Sequence, residues 1–303
     1  MIHDSMIQRR ISILFFLLAL WPMFLLAQHD KTAYYEPASY EYAGVTLPYR
    51  MLKLNQEQAG KSVLVIQLHG GTARGDDNKA QLDASAVDSV ETYLRVHKMK
   101  AVFLLPQCGK DRVWNESARQ QPVPMTDVLA QWLQDFLTTH DIDTDRIYMT
   151  GYSAGGSGAW RMVNDCPQLF AAACIAAANP LMVEEGNVCR TPIYAVAGSK
   201  DNIMDADKIG AFVRSLTALG GEAQFDLLED KDHFGTCDAA FSRERLVWLF
   251  GHTRKTTDGI RPVNTDTLPA TLYGLDGMPR TPQAKGFLIQ RLPDGSTKKV
   301  LVR

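Results

Sequence analysis

Short, continuous apolar runs alternate with helix-like stretches over residues 62–250, and no other feature of the chain restricts its fold as much. Such uninterrupted runs are typical of strands whose two faces are both buried. They predict six strands: Ser62–His69, Lys100–Pro106, Arg146–Thr150, Ala171–Ala178, Thr191–Ser199 and Ala223–Glu229. The intervening stretches predict helices over 80–98, 125–140, 154–165, 206–221 and 239–250. Strands that alternate with helices form a mostly parallel sheet with helices on both faces, so the chain is predicted to have an α/β fold.

More local predictions concern the sheet edge and the helix ends. Residues 38–54 are expected to add antiparallel strands at one edge of the sheet. In the helix over 125–140, apolar residues recur at intervals of three and four and form one face: Val128, Leu129, Trp132, Leu133, Phe136 and Leu137. Thr126 or Asp127 is expected to cap this helix, because a side-chain oxygen can accept hydrogen bonds from the first N–H groups. Gly220 is expected to close the helix over 206–221.

The first residues have the pattern of an export signal. Arg9 and Arg10 precede an uncharged, strongly apolar stretch from Ile11 to Ala27. A basic start followed by an apolar stretch predicts a signal peptide over 1–27, cleaved after Ala27. The alternative is an uncleaved anchor helix, but a stretch of about 17 residues interrupted by Pro22 is a marginal membrane span. We therefore expect the mature protein to be secreted or periplasmic, with no stable membrane span.

The chain changes character near residue 254. Helical periodicity ends there, and prolines become frequent. These changes predict a catalytic domain over 28–253, a linker over 254–268 and a C-terminal tail over 269–303. Within the tail, apolar residues flank Asp294-Gly295, which is a hairpin signal between two short strands.

Charge and cysteine content exclude several kinds of site. The net charge is −2, so overall charge gives no reason to expect nucleic acid as a partner. The five cysteines are an odd number, and none has the spacing of a zinc site, so neither a metal nor a cofactor is predicted. Cys108 and Cys237 are expected to form a disulfide, because both follow predicted strands where loops converge. The alternative is that both remain free thiols.

The segment Gly151-Tyr152-Ser153-Ala154-Gly155 matches the pattern G-x-S-x-G and lies between a predicted strand and a predicted helix. In a nucleophile elbow the strand turns sharply into the helix, and the serine adopts a strained backbone conformation. Larger neighbouring side chains would collide at such a turn, which explains the glycine and alanine around the serine. Ser153 is therefore the candidate nucleophile.

An elbow serine needs a base and a carboxylate that orients the base, in the chain order serine, acid, histidine. His233 is the candidate base, because it directly follows a predicted strand and precedes the last helix. His69 ends the first buried strand and is expected to shape a loop. Asp201 follows the strand over 191–199 and is the candidate acid, with Asp205 as the second choice.

Two further groups of residues are expected near Ser153. The backbone N–H groups of Ala154 and Gly71 are the candidate oxyanion hole, because they follow the nucleophile and the first buried strand. Tyr152 and Trp114 are the candidate substrate-binding residues for an aromatic or sugar group. Loop packing is an equal alternative for both side chains.

Five segments together resemble the α/β-hydrolases: "LHGGTARGDDN", "LLPQCG", "IDTDRIYMTGYSAGGSGAW", "GSKDNIM" and "DHFGTCDAAF". More narrowly, they resemble extracellular esterases and predicted peptidases near polyhydroxybutyrate depolymerases and feruloyl esterases. The resemblance covers about Val45–Gly251 and implies an α/β-hydrolase fold. The functional positions of these families fall on Ser153, Asp201, His233, Gly71 and Ala154. Related sequences often have methionine at position 154 and tryptophan just after the histidine, so the pocket of this chain is expected to differ there.

The resemblance implies a secreted serine carboxylesterase, with acetyl or feruloyl groups on polysaccharide as substrates. One alternative is a serine peptidase of the prolyl-oligopeptidase-like type, although no large propeller domain is evident in the sequence. Another is a noncatalytic carbohydrate-binding surface protein. The tail resembles the C-terminal ends of exported Bacteroidetes-type proteins, some of which are sorting signals, so export machinery is an expected partner.

Overall fold

The computed structural model describes residues 30–116, 122–254, 272–274, 279–280, 285–291 and 297–302. The chain divides into two units, 1–34 and 35–303. In the first unit, Lys31–Ala33 form a single 3₁₀ turn that is capped by the side chain of Asp30. The predicted signal peptide, and nearly all of the predicted linker, lie outside the described residues.

An eight-stranded sheet forms the centre of the second unit. Its strands are β1 (Glu36–Tyr42), β2 (Val45–Leu54), β3 (Ser62–Leu68), β4 (Ala101–Pro106), β5 (Ile142–Tyr152), β6 (Ala172–Ala176), β7 (Ile193–Gly198) and β8 (Ala223–Leu228). Their order is β1-β2-β4-β3-β5-β6-β7-β8. The first two strands are antiparallel to their neighbours and the other six are parallel. The mostly parallel sheet and its antiparallel edge are therefore both confirmed.

Seven helices are described in this unit. They are α1 (Ser85–Val96), α2 (Met125–Thr139), α3 (Ala154–Asp165), α4 (Glu185–Val188), α5 (Ala206–Ala218), α6 (His233–Ala239) and α7 (Arg243–Gly251). Every residue of β3 and of β4 is buried, as expected for strands covered on both faces. The carboxyl ends of the parallel strands meet at one edge of the sheet. The segments that leave this edge carry the candidate site residues.

Two helix predictions were wrong in detail. The helix expected to start at residue 239 starts only at Arg243, because Ala239 is the last residue of the preceding helix α6 and Ser242 caps the start of α7. Neither Thr126 nor Asp127 caps α2, which begins at Met125. The Met125 N–H group instead donates a hydrogen bond to Glu116 Oε2 at 3.0 Å. A carboxylate from an earlier loop therefore accepts the hydrogen bond that a local capping residue was expected to accept.

The C-terminal tail forms a second, antiparallel sheet. Its strands are β9 (Leu272–Tyr273), β10 (Pro279–Arg280), β11 (Gly286–Arg291) and β12 (Thr297–Val302), in the order β10-β9-β11-β12. The β11–β12 pair confirms the predicted hairpin. The two short strands β9 and β10 were not predicted, since two-residue strands leave no periodic signal. Lys299 Nζ lies 3.8 Å from Asp165 Oδ2, so this sheet contacts the last residue of α3.

Candidate active site

Ser153 lies at the sharp turn between β5 and α3. Its backbone angles are φ 54° and ψ −125°, a conformation that side-chain-bearing residues rarely adopt. The Ser153 N–H group donates to the carbonyl oxygen of Ala176 at 3.0 Å, which fixes the turn to the end of β6. Strain of this kind persists only where the surrounding structure enforces it, and it is concentrated at functional sites.

The glycines around Ser153 are required by close packing. A Cβ atom on Gly155 would overlap the backbone carbonyl of Leu68 at the end of β3. A Cβ atom on Gly151 would meet the Gly155 carbonyl, and one on Gly156 would meet the Cβ atom of Ala178. The helix therefore approaches three strand ends closely enough to exclude side chains. This packing presents the Ser153 hydroxyl at the edge of the sheet.

The structure brings Ser153, His233 and Asp201 into one hydrogen-bonded chain. Ser153 Oγ is 2.8 Å from His233 Nε2, and His233 Nδ1 is 2.8 Å from Asp201 Oδ2. A carboxylate only accepts hydrogen bonds, so Nδ1 is the nitrogen that carries the proton in the neutral ring. Nε2 is then free to accept the proton of the serine hydroxyl. The His233 and Asp201 side chains are only 5% and 1% exposed, which shields this chain from water.

The loop after β7 holds Asp201 in place. Its Oδ1 atom accepts hydrogen bonds from the backbone N–H groups of Ile203 and Met204, both at 2.8 Å. Its other oxygen is thereby directed at His233. Asp205, the second choice from sequence, instead caps α5 by accepting a hydrogen bond from the Lys208 N–H group at 3.0 Å. The geometry therefore favours Asp201 as the partner of the histidine.

The two candidate oxyanion-hole residues are neighbours across the nucleophile. Ala154 is the first residue of α3, where a backbone N–H group has no partner within the helix. Gly71 begins a 3₁₀ turn directly after β3, and a Cβ atom placed on it would lie 4.0 Å from the Ala154 Cβ atom. The Gly70 backbone packs against the Tyr152 ring, since a Cβ atom there would lie 2.9 Å from that ring. This leaves no room for a side chain at position 70.

His69 shapes the loop that carries these glycines, as its sequence position suggested. Its Nε2 accepts a hydrogen bond from the Cys108 N–H group at 2.9 Å, and its Nδ1 donates to the Gly70 carbonyl at 2.7 Å. Burial lowers the pKa of His69 from 6.5 to about 4, so the ring is neutral near pH 7. His69 thus joins the loops after β3 and β4.

Trp114 does not reach the substrate space. Its side chain is 1% exposed, and its indole N–H group donates to the His69 carbonyl at 3.0 Å. It also occupies the space beside Gly158, where a Cβ atom would collide with it. The substrate-binding prediction for Trp114 is therefore wrong, and the loop-packing alternative holds. Tyr152, by contrast, lines the cleft in front of Ser153.

The predicted disulfide between Cys108 and Cys237 is absent, because all five cysteines are free thiols in the structure. Cys108 packs in the main hydrophobic core, whereas Cys237 lines the cleft. Burial is the main cause that raises the pKa of each of these two thiols to about 12. Both are therefore poor nucleophiles at neutral pH.

The cleft in front of Ser153 has a volume of about 230 Å³. It is lined by residues 70–72, 83–86 and 152–153 and by four residues of α6, which are His233, Phe234, Cys237 and Asp238. Sequence reasoning missed residues 83–86, since only the three-dimensional path of the chain before α1 brings them here. Phe234 and Asp238 had a usable signal, because they follow the candidate base on the same short helix.

The described part of the chain contains neither a cluster of metal-binding side chains nor a membrane-spanning helix. No group of three or more His, Cys, Asp or Glu side chains is arranged to hold a metal ion there. No helix within it is long and apolar enough to cross a membrane.

Part of the chain is similar in sequence to a known protein family. Residues 107–244 match the model of the Dienelactone hydrolase family. This segment contains Ser153, Asp201 and His233, and it ends just inside α7. No curated protein matches the chain.

Several solved structures are similar in fold. A thermostable esterase shares 26% identity with a TM-score of 0.65, over 73% of this chain and 63% of that one. The chain thus spans less than two thirds of that esterase. A feruloyl esterase module from Clostridium thermocellum, complexed with sinapinate, shares 10% identity with a TM-score of 0.54, over 71% and 87%. The acylaminoacyl peptidase of Pyrococcus horikoshii shares 15% identity with a TM-score of 0.52, over 72% and 41%. The sheet order and these similarities show that the chain has the α/β-hydrolase fold, and its residues 107–244 are similar to the Dienelactone hydrolase family.

Proposed function

We propose that the protein is a serine carboxylesterase in which Ser153 is the nucleophile, His233 the general base and Asp201 the group that orients His233. The observation that carries this proposal is the continuous hydrogen-bonded chain from Asp201 Oδ2 through His233 to Ser153 Oγ, with both links at 2.8 Å. Such a chain allows a hydroxyl to lose its proton as it attacks, because the resulting imidazolium is stabilised by the carboxylate.

The proposed reaction has two halves. In the first, Ser153 Oγ attacks the ester carbonyl while its proton passes to His233 Nε2, and the alcohol then leaves with that proton. In the second, water attacks the acyl-enzyme, gives a proton to His233 and releases the carboxylic acid with Ser153 restored. The N–H groups of Gly71 and Ala154 stabilise the oxyanion that forms in each half.

The substrate and the place of action are also part of the proposal. Similarity in fold to an esterase and to a feruloyl esterase module supports an ester as the substrate. Acetyl or feruloyl groups on polysaccharide are the substrates that we propose. The apolar segment over residues 11–27 supports export, and the tail supports sorting or attachment at the cell surface.

A direct test compares hydrolysis of a short p-nitrophenyl ester by the wild type and by Ser153→Ala. We expect ester turnover by the wild type and its loss in the variant. Acetylated and feruloylated oligosaccharides, assayed beside peptide amides, then identify the substrate. A pure, folded wild-type protein that hydrolyses none of these compounds would contradict the proposal.

A further inference from the structure

The charged side chains that the structure describes in the lining of the cleft in front of Ser153 are acidic. Among the described residues that line it are two carboxylates, Asp83 and Asp238, and neither lysine nor arginine is among them. Both aspartates are exposed to solvent. Asp238 Oδ1 accepts a hydrogen bond from Ser85 Oγ at 2.8 Å, which holds this carboxylate at the wall between α6 and α1. A cleft lined by charges of one sign concentrates ligands of the opposite sign.

The charge of Asp238 also acts on two other side chains that line the cleft, those of Tyr152 and Cys237. Burial is the main cause that raises the pKa of the Tyr152 hydroxyl, and the charge of Asp238 raises it further. Burial likewise dominates the raised pKa of Cys237, followed by the charges of Asp201 and Asp238. Both side chains line the cleft, so the same field acts on whatever occupies it.

Two aromatic rings complete the lining. Phe234 is 62% exposed although it follows the buried His233, and the two rings meet edge to face with their centroids 5.5 Å apart. Asp238 lies four residues after Phe234 on α6, so the ring and the carboxylate are on the same face of that helix. The second ring is that of Tyr152. An aromatic face attracts a cation within about 6 Å of its centroid.

The arginine next to this cleft is already engaged. Arg74 donates to the Gly71 carbonyl at 3.0 Å and to the Arg112 carbonyl at 3.3 Å. Both bonds hold the guanidinium against backbone carbonyls, of which that of Gly71 belongs to the lining and that of Arg112 does not. It therefore does not neutralise Asp83 or Asp238 by an ion pair.

We propose that the cleft prefers esters that carry a cationic group over uncharged esters of the same shape. Asp83 and Asp238 supply the negative charge, and Phe234 supplies a ring face for the cation. This inference rests on the proposed esterase function, since it concerns the substrate that reacts with Ser153. It adds to that function a selection by charge.

The test uses acetylcholine and its uncharged carbon isostere, dimethylbutyl acetate. We would measure the ratio of their kcat/KM values for the wild type, Asp83→Asn, Asp238→Asn and the double variant. Asparagine at position 238 keeps an oxygen that can accept the Ser85 hydrogen bond. We expect a ratio well above one in the wild type, a loss of about threefold in each single variant and of about tenfold in the double variant. Raising the salt concentration to about 0.5 M should reduce the wild-type ratio.

Two further variants separate the parts of the proposal. Phe234→Leu keeps an apolar side chain without a ring face, and it should lower the ratio without abolishing turnover. Asp141→Asn is the matched control, because it removes one exposed carboxylate that lies before β5, at the opposite edge of the sheet. It should leave the ratio unchanged.

A binding readout covers the case in which these acetates react too slowly to measure. The inhibition constants of choline and dimethylbutanol against p-nitrophenyl acetate hydrolysis give the same ratio. Equal values for the charged and uncharged compounds, unchanged in the aspartate variants, would overturn the charge selection while leaving the esterase proposal intact. Ester hydrolysis that does not depend on Ser153 would instead overturn the proposed function.

Discussion

Two buried histidines lie at the same edge of the sheet, one after β3 and the other after β8, and they differ in every partner. His69 is 2% exposed and His233 is 4% exposed, so burial does not distinguish them. Both ring nitrogens of His69 bond to backbone groups, those of Cys108 and Gly70. Both ring nitrogens of His233 bond to side chains, the Ser153 hydroxyl and the Asp201 carboxylate.

The partners decide what each ring can do. A proton on His69 would remove the acceptor that holds the Cys108 N–H group, and no carboxylate among the described residues forms a hydrogen bond or an ion pair with the ring. A proton on His233 would be stabilised by Asp201 and would come from the Ser153 hydroxyl. The comparison shows that the candidate catalytic histidine differs from the other buried histidine in its side-chain partners and not in its burial or its place at a strand end.

The largest expected effect comes from removing the proposed nucleophile. Ser153→Ala should lower kcat for a p-nitrophenyl ester on the order of 10³-fold or more, with some catalysis left from the oxyanion hole. His233→Ala should be comparably damaging, and the double variant should be little worse because the residues act as a unit. Retention of more than about a tenth of the wild-type kcat by folded Ser153→Ala would show that Ser153 is not the nucleophile. The contrast between His233 and His69 would then have no catalytic meaning.

A smaller effect separates the two candidate acids. Asp201→Asn should lower kcat strongly but somewhat less than His233→Ala does, since an amide can no longer stabilise the imidazolium. Asp205→Asn is the matched control, because asparagine caps helices as well as aspartate does and should leave kcat nearly unchanged. A crippling effect of Asp205→Asn beside a mild effect of Asp201→Asn would show that the assigned acid is wrong.

The His69 region should affect stability at acidic pH. The folded-state pKa of about 4 lies below the ordinary value of 6.5, so the unfolded chain binds a proton that the folded chain does not. Stability is therefore lost as the pH falls from 6.5 towards 4, by about 2.5 kcal/mol between pH 7 and pH 4.5. His69→Gln should remove this part of the loss, because its amide does not titrate and can both accept and donate hydrogen bonds.

Urea unfolding of the wild type and His69→Gln at these two pH values measures this difference. His97→Gln, at an exposed position, is the control and should retain the wild-type pH dependence. An identical pH dependence for His69→Gln and the wild type would show that His69 titrates normally in the folded protein.

The smallest effect on catalysis is expected from the tail. Truncation after Arg254 should leave kcat/KM within a few-fold of the wild-type value, because none of the residues that the structure describes after this point lines the cleft. A truncated protein that stays folded by circular dichroism but loses activity would show that the second sheet supports the site.

The sequence predicts those parts of the molecule in which one residue type satisfies a strict local requirement. The uninterrupted apolar strands and the small residues around Ser153 are of this kind, and so is the order of Ser153, Asp201 and His233. Predictions failed where a distant part of the chain supplies the partner. Glu116 caps α2 from another loop, and the His69 carbonyl binds the Trp114 indole. Residues 83–86 reach the cleft only through the path of the chain between β3 and α1.

The contact between Lys299 and Asp165 has a practical consequence. Asp165 is the last residue of α3, and the helix begins one residue after Ser153. With 12 residues at 1.5 Å each, the two ends of this helix are about 18 Å apart. Attachment to a cell surface or a resin near Lys299 would therefore hold the protein at the far end of α3. The entrance to the cleft would stay open. Immobilisation through the tail should accordingly preserve access for bulky polymeric substrates.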